Sequence, residues 1–158
     1  MNIKLFLLLI ILLALLAYGL LPRTRLARRF KMNETLFYMM NIIGVLCGVV
    51  GLIVTLIWPH TILSHHYFEL ILLPAFLVFL FAAAVMNIQS PDAPYDEKQN
   101  HDMTTAAALS LPFSVGGMFL LYAMYKEGMI DGLMWFPVFI FLSLTVFSSA
   151  TLYYYKHR

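Results

Sequence analysis

Charge is what this chain has least of. Asp, Glu, Lys and Arg make up 11% of its 158 residues, against about 25% in soluble domains, while 62% are apolar. A water-facing surface cannot be assembled from so little polar material, so the composition predicts a surrounding of lipid. Cysteine is almost missing as well: Cys47 stands alone, which excludes an intramolecular disulfide and a CxxC thiol oxidase. No GxSxG serine, HExxH helix or GxxxxGK[ST] loop occurs, which removes nucleophile-elbow, zincin-type and phosphate-cradling chemistry. The histidines fall only between apolar stretches or at their ends, so haem has no pair of ligands at mid-depth. No charged residue sits at the centre of an apolar stretch, which argues against transport coupled to a buried carboxylate. Together these absences point away from an enzyme.

Long apolar runs are what the chain does have. Five of them, at about 5–21, 35–58, 67–88, 104–125 and 132–155, approach or exceed the roughly 17–25 residues that cross a hydrocarbon core. Lipid offers no partner to a backbone amide, so each run must satisfy its own as a helix. The fold expected is an all-α integral membrane protein of about five transmembrane helices in a single domain over residues 1–158. The first run, with Lys4 before it, resembles a signal peptide. It is expected to be retained, because the cleavage pattern at Ala14 to Ala17 is poor and a basic cluster follows Leu21 directly.

Lys and Arg are kept preferentially on the cytoplasmic side of short loops. With five spans and the N-terminus outside, eight of the ten basic residues fall inside: Arg23, Arg25, Arg28, Arg29, Lys31, Lys98, Lys156 and Arg158. Lys4 and Lys126 fall outside. The expected location is therefore the plasma membrane, of the bacterial inner-membrane kind, with the C-terminus cytoplasmic. The arginine cluster reads as a topology signal that can also contact anionic headgroups or a partner, with no nucleic acid implied.

In the second span Asn41, Gly44, Gly48, Gly51 and Thr55 recur at intervals of three, four, three and four, which places them on one helical stripe. Small residues let membrane helices approach closely, so this stripe is expected to face protein. In the fourth span Ala107, Ser110, Ser114 and Gly117 repeat the spacing, each 66 residues after its counterpart. The two hairpins, 33–88 and 101–155, are thus candidates for a parallel repeat. The arrangement expected is a four-helix bundle of spans two to five with the first span peripheral. Pro112 should free a backbone carbonyl in the fourth span, with Ser110 and Ser114 placed to recapture it. The polar segment 89–103 reads as a loop.

The densest chemical constellation is WPHTILSHHYFE, which holds His60, His65, His66 and Glu69. Imidazole and carboxylate at such spacing suit a divalent metal such as zinc or iron, or copper. Three functions follow in order. The first is a non-enzymatic accessory or scaffold subunit, whose partners are the bilayer and other membrane subunits or further copies of itself. The second is a small transporter or channel for a neutral or lipid-like solute, with a path lined by Asn41, Thr55, Ser110, Ser114 and Ser143. The third is a metal-binding protein centred on the His/Glu cluster.

Overall fold

The computed structural model describes residues 3–20, 34–64, 67–88 and 94–157. The basic segment from Arg23 to Lys31 and the pair His65 and His66 lie outside the described residues. Six α-helices and one 3-10 turn account for nearly all of the rest, with no strand among the described residues. They are α1 (Ile3–Leu20), α2 (Glu34–Ile57), α3 (Pro59–Ser64), α4 (Tyr67–Ile88), α5 (Pro94–Lys126), the turn Gly132–Met134 and α6 (Trp135–His157).

Local chemistry explains the boundaries. Glu34 stands in the first turn of α2, where a carboxylate meets the positive end of the helix dipole. Helix α2 stops at Ile57 because Pro59 disfavours helical geometry at the residue before it. The proline then opens α3, a short helix in what the sequence alone presents as a loop. Helix α5 ends in a Schellman motif: Gly128, with φ of 71°, donates to the Tyr125 carbonyl at 2.9 Å, and the Met129 amide donates to Met124 at 2.9 Å. Glycine is required there because a Cβ is disfavoured in the left-handed region.

Four helices are long and apolar enough to cross a membrane: Glu34–Ile57, Tyr67–Ala84, Glu97–Lys126 and Gly132–His157. Helix α1, at 18 residues, packs on α4. The fourth of the expected spans proves longer than the sequence reading allowed, since α5 begins at Pro94 and runs for 33 residues. The segment 94–103, expected as loop, is its first three turns. Pro94 suits the first helical turn, where its missing N–H would have no partner anyway, and Asp96 and Glu97 follow at the end of the helix that favours negative charge.

Helices α2 and α6 pack most extensively, α4 packs on the far side of α2, and α5 packs along α6. Rings bridge α4 to α6: Phe68 lies 5.4 Å from both Phe136 and Phe141, and Phe79 lies 6.1 Å from Phe147. Helices α2, α4 and α6 thus form a three-helix group. Helix α5 leans on the outside of α6 without extensive packing on α2 or α4, so the expected four-helix bundle is open on that side. The physical reason lies in α5 itself: Ser114 and Gly117 meet α6, but Ala107 is exposed and the small face does not continue. At one end of the group Phe37, Met40 and Ala82 form a buried cluster with Met103 and Tyr155 against it. At the other end Tyr122 and Tyr125 each meet Trp135 edge-on at 5.6 Å.

Candidate functional site: polar seams and the histidine end

The α2 stripe is the seam with α6. Asn41, Gly44, Gly48, Gly51 and Thr55 are all buried. A Cβ placed on Gly44 would overlap the Ser148 hydroxyl, and one on Gly51 would overlap the Phe141 ring. One on Gly48 would come to 3.0 Å from both the Phe141 carbonyl oxygen and the Thr145 amide nitrogen. Absent side chains therefore set how closely the two backbones approach, which is where membrane helices gain packing energy.

The polar groups of this seam mostly turn back on their own helices. Thr55 donates to the Gly51 carbonyl at 2.6 Å, Thr145 to Phe141 at 2.7 Å and Thr151 to Phe147 at 2.8 Å. Asn41 donates through Nδ2 to the Phe37 carbonyl at 2.9 Å. Such i−4 bonds satisfy a hydroxyl or amide without linking helices. Asn41 Oδ1 and Ser148 Oγ are buried and have no hydrogen-bond partner.

The α5–α6 seam differs, because there a hydroxyl pair joins the helices: Ser114 Oγ lies 2.8 Å from Ser143 Oγ. Gly117 faces Leu142. Ser110 donates to the Ala107 carbonyl at 3.0 Å. Neither serine takes up the Ala108 carbonyl, four residues before Pro112, that the proline leaves without its helical donor, contrary to expectation. Ser114 turns instead to α6, where a second hydroxyl is available. Asn41 and Thr55 lie on the α2 side of α6 while Ser114 and Ser143 lie on the α5 side, so α6 stands between them. The five residues of the expected path do not line one space.

The histidine end is only partly described. His60 is exposed on α3, and Glu69 is half-buried in the first turn of α4. Among the described residues no group of three His, Cys, Asp or Glu side chains is placed to hold a metal. His60 does line a recess of about 230 Å3, together with Leu56, Pro59, Met129, Ile130, Asp131 and Met134. The four arginines Arg23, Arg25, Arg28 and Arg29 lie outside the described residues.

Two features escape the sequence reading. Gln99 and Asp102, on the polar first turns of α5, are 2% and 0% exposed. Their i, i+3 spacing signals a shared face, but a loop reading hides it. On the same stretch Lys98 Nζ sits 5.1 Å from the centre of the Tyr155 ring, so this part of α5 packs against the end of α6. The second feature is an apolar groove of about 510 Å3 between α5 and α6, lined by Val115, Met118, Phe119, Tyr122, Trp135 and Phe139. No family model, curated protein or solved structure matches this chain.

Proposed function

We propose that this chain is a five-span protein of the plasma membrane, of bacterial inner-membrane type, with its N-terminus outside and its C-terminus in the cytoplasm, and that it serves as a non-enzymatic accessory or scaffold subunit. Lipid as the surrounding is supported by the side chains left bare. Leu111, Phe119 and Leu56 are 67%, 71% and 62% exposed on helices of membrane-crossing length. Soluble monomers rarely expose apolar surface so continuously.

The observation that carries the scaffold reading is the position of α5. The α2–α6 seam uses its small and polar residues internally, whereas α5 gives one face to α6 and keeps the rest open, including the groove beside Phe119 and the uncovered Gly116. Close approach of another helix costs little at such a surface, and packing then supplies the association energy. Partners on this reading are other membrane subunits or further copies of the chain. Purification in a mild detergent followed by native mass spectrometry is expected to recover the protein with companions or as a defined oligomer. A single unaccompanied chain in every mild detergent would remove the scaffold role.

A further inference from the structure

We propose that the recess between α3 and the α5–α6 connection is a binding site for Cu(I), held by the thioethers of Met129 and Met134 and the imidazole of His60. The proposal shares only His60 with the histidine-rich cluster read from the sequence, and it is independent of the scaffold role.

The donor set selects the metal. Thioether sulfur is a soft ligand that favours Cu(I) and is a poor one for magnesium or calcium, whereas imidazole suits zinc, copper, iron and nickel. Copper is the ion common to both preferences. The Asp131 carboxylate on the same recess adds a negative charge that favours a cation.

The placement of the two methionines goes beyond what the fold asks of them. In a Schellman motif the residue after the glycine commonly packs back on the last helical turn, which here would bring Met129 onto Met124. Met129 is instead 70% exposed and lines the recess. Met134, at 5% exposed, supplies a fixed thioether at the buried side of the same space. Three rotatable bonds give the Met129 side chain the reach to close on an ion bound there. The Gly128 turn fixes the Met129 backbone, and Pro59 at the start of α3 fixes that of His60.

Purified full-length protein in detergent would be titrated anaerobically with Cu(I) against a chromophoric Cu(I) chelator, with Zn(II) in a parallel series. One equivalent of Cu(I) is expected to bind the unaltered chain. Removing even an outer-shell partner commonly costs about 10–100-fold in metal affinity, so Met129→Leu is expected to weaken binding by about tenfold or more. The exposed position of Met129 means that leucine there leaves the fold intact, which circular dichroism and elution volume check. Met129→Leu with Met134→Leu is expected to abolish Cu(I) binding and leave any Zn(II) binding unchanged. Absence of Cu(I) binding above a detergent blank overturns the proposal. So does unaltered binding in the double methionine variant, or loss confined to a His65→Ala, His66→Ala variant.

Discussion

A methyl group at Gly48 would press against two backbone atoms of α6, the Phe141 carbonyl oxygen and the Thr145 amide nitrogen, each at 3.0 Å. Backbone cannot rotate aside as a side chain can, so the helices must separate. Overpacking of this kind costs about 1–3 kcal/mol, while alanine in place of glycine returns up to about 1 kcal/mol of helix propensity. Gly48→Ala is therefore expected to lower stability by about 1–2 kcal/mol in denaturant titrations in detergent. Gly116 is the control, because nothing lies within 4 Å of a Cβ built there. Gly116→Ala should be neutral or stabilising by up to about 1 kcal/mol. Equal losses at both positions would mean that glycine acts through backbone freedom and not through close approach. Much of this was legible, since the spacing from Asn41 to Thr55 gives the face directly. The facing residues were not. Ser148, Thr145 and Phe141 meet this stripe because of where α6 docks, and no local pattern in α6 separates them from Ser143, which turns to α5.

Helix α5 is the element on which the sequence was least informative. Its first turns carry Pro94 and several charges, which in an apolar chain look like a connection. Proline at a first turn and acidic residues behind it are equally the marks of a helix start, and the structure takes that course. At about 1.5 Å per residue a helix of this length reaches about 50 Å, well beyond a hydrocarbon core of about 30 Å. Its polar end therefore projects past the apolar part of the group, where Lys98 meets Tyr155. Gln99 is the anomaly of this extension: both its amide nitrogen and its amide oxygen are buried without a hydrogen-bond partner. A buried polar group left unsatisfied costs about 1–3 kcal/mol, whereas an apolar side chain of similar shape escapes that cost. Gln99→Met should accordingly raise the thermal unfolding midpoint in detergent, by an amount corresponding to about 1–2 kcal/mol. A lowered midpoint would mean instead that the amide holds a group supplied from outside the chain.

For the molecule as a whole, the helix boundaries and the lipid-like exterior follow from composition and run length, but the order in which helices pack does not. Every apolar helix can pack on every other. The choice made here, with α5 outside α6 and α1 outside α4, depends on small residues and rings meeting across pairs, which pattern along one helix cannot reveal. Orientation is a separate question and rests on charge. With the N-terminus outside, the basic residues divide eight inside to two outside, and the positive-inside preference selects that arrangement over its inverse. Cysteine accessibility tests it in a Cys47→Ala background. In intact cells a membrane-impermeant maleimide should label Leu133→Cys, which lies 68% exposed beside Trp135. Asn100→Cys, exposed on the polar end of α5, should label only after lysis. An epitope at the N-terminus should be detected without permeabilisation, because α1 must then cross as a fifth span. Replacing Arg23, Arg25, Arg28 and Arg29 by glutamine leaves eight minus four, or four, basic residues inside against two outside. The bias that remains is weak, so a mixed population is expected, with Asn100→Cys partly labelled in intact cells. Unchanged protection of Asn100→Cys would show that orientation is fixed by the later helices and not by the arginine cluster. An N-terminal epitope hidden until lysis, with Leu133→Cys still labelled from outside, would reduce the spans to four.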